Sequence, residues 1–314
     1  MSLATVTRGK IQRPDLMLVY GLDGVGKSTL ASEAPSPIFL GSEAGTNNLD
    51  VSRDVVDSYG SLLATLGQLA KDKHDFKTVV LDTADWAEKL VYAKVVEEDG
   101  KPIGTSIDKV DKGFGKGRVY AFEKWRDEII PAFNACRDRG MNVIILAHSM
   151  VKKFEDPSTP QGYDRYQLKL QDGAKTDVAG LLREWVDTVM FATYKVETVA
   201  DDTRRAFGGE SRVLYTERRP SFDAKNRIGL PFEIPFKKGY GWAAYEEAKA
   251  KAKAKAKANV APVAEDLSGL VAQLPADIKP AVEQSIKMAT GNPAELARIK
   301  AKMLLVISQG KEKS

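Results

Sequence analysis

The chain has almost none of the residues that build disulfide scaffolds or soft-metal sites. Its 314 residues include one cysteine, Cys136, and two histidines. One thiol excludes an internal disulfide framework and fits a reducing compartment. So few sulfur and imidazole groups also fall short of a His/Cys zinc site, which takes about four such ligands. Cys136 closes the stretch Ala132-Phe133-Asn134-Ala135-Cys136. That spacing places it on the apolar face of a helix, as a small buried hydrophobe rather than a nucleophile. No apolar run approaches membrane-spanning length, and the first residues form no signal-peptide core. A cytoplasmic location and no membrane partner are therefore expected.

Charge of one sign is also scarce, with 47 Lys+Arg against 43 Asp+Glu. The small excess is unevenly placed. Residues 1–245 carry 35 of each sign, whereas residues 246–314 carry 12 basic and 8 acidic side chains. The change is marked by alternating lysine and alanine from Lys249 to Ala258. Both residues favour helix, but strict alternation scatters lysine around it and leaves no apolar face. The stretch reads as a solvated helical linker or as a basic DNA-binding surface. Beyond it, Leu267, Leu270, Val271 and Leu274 share one helical face, as do Leu296, Ile299, Met303 and Ile307. The expected organisation is an arm over 1–13, a core over 14–245, a Lys/Ala-rich linker over 246–262 and a small helical domain over 263–314.

The core is where chemistry is concentrated. Gly21-Leu22-Asp23-Gly24-Val25-Gly26-Lys27-Ser28-Thr29 matches G-x-x-x-x-G-K-[ST]. It follows an apolar run, Leu16-Met17-Leu18-Val19-Tyr20, and opens a helix that stops before Pro35. Glycines let backbone N–H groups approach a polyphosphate, a lysine reaches the β- and γ-phosphates, and a hydroxyl ligates Mg²⁺. Gly21, Asp23, Gly24, Val25, Gly26, Lys27, Ser28 and Thr29 are thus the expected ATP-binding residues. Strand-like runs at 16–20, 37–40, 78–81, 143–147, 188–192 and 213–216 alternate with helical ones near 61–71, 86–98, 120–138 and 177–185. This alternation predicts an α/β fold with a mostly parallel sheet, whose site forms beyond the carboxyl ends of the strands.

Polar residues at those ends supply the other candidates. Thr78-Val79-Val80-Leu81-Asp82 is an apolar strand ending in a carboxylate, the pattern that holds Mg²⁺ with Ser28. Glu43, after the second strand, is a carboxylate that can accept a proton from the water attacking the γ-phosphate. His148 ends Val143-Ile144-Ile145-Leu146-Ala147 and reads as a γ-phosphate sensor or as an ordinary strand-end histidine.

In this order, the motifs resemble the RecA-like ATPase core. More closely, Phe39-Leu40-Gly41-Ser42-Glu43, Gly113-Phe114-Gly115-Lys116-Gly117, Leu146-Ala147-His148, Phe154-Glu155-Asp156-Pro157, Tyr163-Asp164-Arg165-Tyr166 and Glu217-Arg218-Arg219-Pro220 resemble bacteriophage RecA-like ATP-binding proteins linked to single-strand annealing and recombination. The resemblance spans about residues 14–245. It implies a RecA-like P-loop core with Glu43 as general base, Asp82 as the metal carboxylate and His148 as sensor, where RecA itself has glutamine. It also implies cofactors ATP and Mg²⁺, single-stranded DNA as partner, and a bacterial host cytoplasm if the chain is phage-encoded. A single-strand-binding protein is a further candidate partner.

Two more segments take meaning from the resemblance. Lys225-Asn226-Arg227 is similar to the lysine-rich segment that touches ATP bound by a neighbouring subunit. It reads otherwise as a basic turn before Pro231. The first reading implies head-to-tail oligomers, a filament or ring. Segments 104–118 and 150–175 read as long polar loops matching the two DNA-binding loops of RecA-like proteins. Their expected DNA contacts are Lys112, Phe114, Lys116, Arg118, Lys152, Lys153, Phe154, Tyr163, Arg165 and Tyr166, cations for phosphates and aromatics for bases. Interleaved acids also allow ordinary surface loops. The functional expectation is a DNA-dependent ATPase that anneals or exchanges strands. The alternatives are a P-loop small-molecule kinase and a non-hydrolysing module in which ATP switches DNA binding.

Overall fold

The computed structural model describes residues 11–41, 46–155, 161–198, 206–289 and 292–311. In chain order the elements begin with β1 (Leu16–Gly21), α1 (Lys27–Ser32), β2 (Pro37–Gly41), β3 (Ser52–Val55), α2 (Tyr59–Lys71), β4 (Thr78–Asp82) and α3 (Ala84–Glu98). A 3₁₀ turn (Ile107–Lys112) leads to α4 (Lys116–Lys124), a π-turn (Trp125–Ile129) and α5 (Ile130–Asp138). Then come β5 (Asn142–Phe154), β6 (Tyr163–Leu168), β7 (Asp172–Gly173), β8 (Thr176–Asp177), α6 (Val178–Trp185), β9 (Thr188–Thr198), β10 (Ala206–Tyr215), β11 (Lys225–Asn226) and β12 (Glu233–Phe236). The chain closes with α7 (Gly241–Ala272), α8 (Lys279–Ala289) and α9 (Pro293–Lys311).

Residues 12–249 form one compact unit, a sheet ordered β12-β10-β9-β1-β5-β4-β2-β3. Neighbours from β9 to β3 pair in parallel, while β10 and β12 pair antiparallel at one edge. The fold is thus the expected α/β architecture with a mostly parallel sheet. The central strand β1 is buried at every position, because helices cover both faces and a parallel strand then needs no polar side. Leu16, Leu18 and Tyr20 face one layer with Leu62 and Leu66 of α2 and Val91 of α3. Met17 and Val19 face the other, with Leu30 and Ala31 of α1 and Trp242 and Tyr245 of α7. Cys136 is buried in the first layer and donates to the Leu66 carbonyl at 3.4 Å, and burial pushes its thiol up to about 11.

The six expected strands are all present. The strands not anticipated are short or polar: β3 reads Ser-Arg-Asp-Val and is mostly exposed, and β12 carries Pro235. Charge and proline are usual at sheet edges and mask the pattern by which a strand is recognised. The largest correction concerns segment 150–175. It is not a long loop: β5 continues to Phe154 and pairs antiparallel with β6, with Lys152 opposite Arg165 and Phe154 opposite Tyr163. Segment 104–118 is also ordered, as the 3₁₀ turn with Ile107 and Val110 buried and then the start of α4.

The carboxy-terminal helices form a second unit from residue 250. Leu267, Val271 and Leu274 pack there with Ala289, Leu296 and Met303.

Candidate active site

The site is built at the carboxyl end of β1, where the loop 22–26 turns into α1. Gly21 has no room for a side chain, since a Cβ would lie 1.9 Å from the Ala192 carbonyl oxygen of β9. Gly24 and Gly26 take φ of 72° and 100°, a left-handed backbone that disfavours residues with a Cβ. These turns let the loop close over a polyphosphate with its N–H groups. Tyr194 Oη donates to the Gly24 carbonyl at 3.1 Å and ties the loop to β9.

Lys27 is buried, and its ammonium donates to the carbonyls of Gly21 at 3.1 Å and Leu22 at 2.9 Å. Burial lowers its pKa, against the charges of Asp23, Asp82 and Asp85. Ser28 Oγ donates to Asp82 Oδ2 at 2.6 Å. Burial raises the Asp82 pKa, and the Ser28 hydrogen bond and the Lys27 charge work against that rise. Gly41 of β2 permits the strands to meet here, because a Cβ on it would lie 2.3 Å from the Asp82 carbonyl oxygen.

His148 stands beside Gly21 in the β1–β5 register. Its Nδ1 lies 2.9 Å from Asp85 Oδ2 and its Nε2 lies 3.4 Å from Asp23 Oδ1. Lys27, Ser28, Asp82, Asp23 and His148 are thus gathered at one end of the sheet. Glu43 lies outside the described residues.

The residues fit ATP and Mg²⁺. Ser28 and Asp82 are hard oxygen donors, and Mg²⁺ keeps waters and phosphate oxygens as its remaining ligands. Among the described residues no group of three or more His, Cys, Asp or Glu side chains is placed to hold a metal ion. A further cation lies at the loop. Arg212 Nη1 is buried without a hydrogen-bond partner and lies 3.3 Å from where a Gly26 Cβ would stand. Its guanidinium rests over the Tyr194 ring at 5.8 Å. Neither Arg212 nor Asp85 carries a motif signal, and only the sheet order brings them to the loop.

Lys225 and Arg227 are elsewhere. Lys225 pairs with Val189 at the start of β9, whereas the phosphate loop lies beyond the opposite end of that strand. The Lys225 ammonium donates to the carbonyls of Arg183 at 2.6 Å and Glu184 at 3.0 Å, which end α6. Arg227 donates to the Glu184 carbonyl at 3.3 Å and lies 3.7 Å from Asp187. This placement rules out contact with the phosphate loop of the same chain.

The expected DNA contacts divide. Phe114 is 97% exposed, and Lys112 and Lys153 are also exposed. Lys116 pairs with Asp111 at 2.9 Å, Arg118 with Asp108 at 2.7 Å and Lys152 with Asp172 at 2.6 Å. Arg165 must be corrected, since it is 2% exposed and bonds Asp223 at 2.5 Å beneath the Phe154 ring. A charge so deep is paired to offset its desolvation and does not meet a phosphate backbone. Tyr166 packs on Phe191 at 5.1 Å, and Tyr163 lies 5.6 Å from Phe154.

A mostly parallel sheet with a glycine loop, lysine and hydroxyl–carboxylate pair at its carboxyl end defines a P-loop nucleotide-binding ATPase core. A family model described as an AAA domain matches residues 13–228. The chain belongs to that family, whose members bind nucleotide and hydrolyse ATP, typically with Mg²⁺. No curated protein matches the chain. Among the described residues no helix is long and apolar enough to cross a membrane.

Proposed function

We propose that this protein is a Mg²⁺-requiring ATPase that binds single-stranded DNA and promotes annealing or strand exchange as a head-to-tail oligomer. The observation that carries the ATPase part is the Ser28–Asp82 pair beside the buried Lys27. In this reading Ser28 and Asp82 hold Mg²⁺, which when bound neutralises charge on the phosphates. Lys27 binds the β- and γ-phosphate oxygens, and Nε2 of His148 faces the terminal phosphate. Glu43 takes a proton from the attacking water.

The DNA part is supported by Phe114, whose φ of 59° and nearly complete exposure serve neither backbone preference nor packing. Strained backbone clusters at ligand clamps and active sites, and no packing of Phe114 accounts for it. The sequence resemblance supports the same partner. Lys225 and Arg227, remote from their own phosphate loop, are proposed to serve the site of a neighbouring copy.

A second reading has one observation in its favour. A cleft of about 630 Å³ beside the phosphate site is lined by Asp85, Glu88, Tyr92, Arg118, Lys152 and Gln171, among others. It could seat a small phosphate acceptor, as a kinase requires. ATP turnover measured with and without single-stranded oligonucleotide, and with small hydroxyl acceptors, separates the two. Stimulation by DNA with release of free phosphate is expected. Phosphorylation of an acceptor without DNA stimulation would overturn the proposal.

A further inference from the structure

We propose that Asp85 is the positioning residue for His148, holding the ring by Nδ1 so that Nε2 is turned to the phosphate loop. The proposal rests on the reading of His148 as the phosphate-facing residue of β5. Asp85 lies in the first turn of α3, three residues beyond Asp82. Its Oδ1 accepts the His148 main-chain N–H at 3.0 Å, and its Oδ2 lies 2.9 Å from the ring Nδ1. Both oxygens therefore grip one residue, at its backbone and at its ring.

The direction of the second bond follows from charge. Burial acts to raise the Asp85 carboxyl, but the hydrogen bonds from the His148 ring and backbone outweigh it and hold the group at about 2. An ionised carboxylate has no proton to give, so Nδ1 must carry one. Rotamer and tautomer are then fixed together, as a carboxylate does for a histidine that ligates a metal. Nε2 is left toward the loop, 3.4 Å from Asp23 Oδ1. Toward a phosphate oxygen it can only donate, so it must carry a second ring proton there, and the Asp85 carboxylate on Nδ1 offsets that charge. A first-turn acid can also serve only the helix dipole. That role does not require two oxygens on one residue in a neighbouring strand.

The chain has two histidines, so ring ¹⁵N resonances of His148 can be assigned in the full-length protein with His74→Gln as reference. In the wild type at alkaline pH, Nδ1 of His148 should be protonated and Nε2 should not. In Asp85→Asn the amide oxygen can still accept the main-chain N–H, but its NH₂ must donate to Nδ1. The ring proton should then move to Nε2. Hydrolysis should fall about 10–100-fold with ATP affinity little changed, the scale seen when a histidine loses its orienting carboxylate.

An unprotonated Nδ1 in the wild type would overturn the proposal even if the variant fails to fold. So would wild-type hydrolysis by a folded Asp85→Asn protein. Normal hydrolysis by His148→Ala would instead remove the phosphate-facing reading beneath it, whatever the tautomer.

Discussion

Ser28 Oγ and Asp82 Oδ2, 54 positions apart in sequence, lie 2.6 Å from one another. The contact joins the first turn of α1 to the tip of β4, two strands away from β1 in the sheet. A hydroxyl and a carboxylate so placed are both available to one hard cation. Asp82→Ala should therefore leave the fold intact and reduce Mg²⁺-dependent turnover by about 100-fold, in keeping with the several kcal/mol a metal's charge contributes. Chelation of Mg²⁺ should reduce the wild type in the same way and change the variant little.

Lys27 and Glu43 should separate binding from chemistry. Lys27→Ala removes the buried ammonium at the mouth of the loop, and ATP binding should be lost in a calorimetric titration. Glu43→Gln leaves the phosphate loop intact and removes the proposed base, so ATP should bind normally and turn over about 10²–10⁴-fold more slowly. Normal turnover by Glu43→Gln would remove that residue from the base role.

Glu88 gives the protein a pH-dependent stability. It lines the cleft, is 9% exposed and accepts the Gln171 N–H at 2.9 Å, and burial raises its pKa to about 7 from 4.5. The folded state then holds a proton that the unfolded state releases at lower pH. Stability from this group is full below about pH 4.5 and is lost as pH rises through 7. The difference corresponds to about 3 kcal/mol at most. Glu88→Gln keeps the acceptor without the charge. Its melting temperature should match the wild type near pH 5 and exceed it by several degrees at pH 8.5, on a scale of about 2–4 °C per kcal/mol. Equal melting temperatures at both pH values would refute this account.

How legible the molecule was depended on the kind of signal each part carried. The phosphate loop and β4 were readable because glycine, lysine and an Asp-tipped apolar strand are local patterns. The hairpin of β5 and β6 was not, because Lys152-Lys153 and Tyr163-Asp164-Arg165-Tyr166 look like loop composition. Arg165 was misplaced for the same reason. A charged residue reads as exposed until its partner is known, and Asp223 lies 58 residues away. Asp85 was missed because its meaning depends on β5 lying next to β4.

Lys225 and Arg227 should show a structural and a catalytic effect that can be told apart. Lys225 caps the carbonyl end of α6, so Lys225→Ala should cost about 1 kcal/mol of stability. If these cations also serve a neighbouring site, the double Ala variant should bind ATP yet lose most hydrolysis. Mixing it with Lys27→Ala protein should restore some activity, since an intact loop can then meet intact cations. No recovery at any ratio, with mixed oligomers demonstrated, would leave only the capping role.

Phe114 and Arg165 provide the sharpest test of the proposed DNA-binding surface. Phe114 is 97% exposed and flanked by Gly113 and Gly115, both at positive φ, so Phe114→Ala removes no packing. It should leave the melting temperature unchanged and weaken single-strand binding by about 1–3 kcal/mol, the range for one stacked base. Binding should fall steeply with salt and depend little on sequence. Neutralising Lys112 should flatten that salt dependence by about one unit of slope. Arg165→Ala should do the reverse. Among the described residues it leaves Asp223 with the cations of Arg183 at 2.8 Å and Arg218 at 3.6 Å, and should destabilise the fold by about 3–5 kcal/mol. Any loss of DNA binding should then follow the loss of folded protein. If Phe114→Ala binds DNA normally while deletion of residues 246–314 abolishes binding, the DNA site is the lysine–alanine segment and not the surface around the 3₁₀ turn.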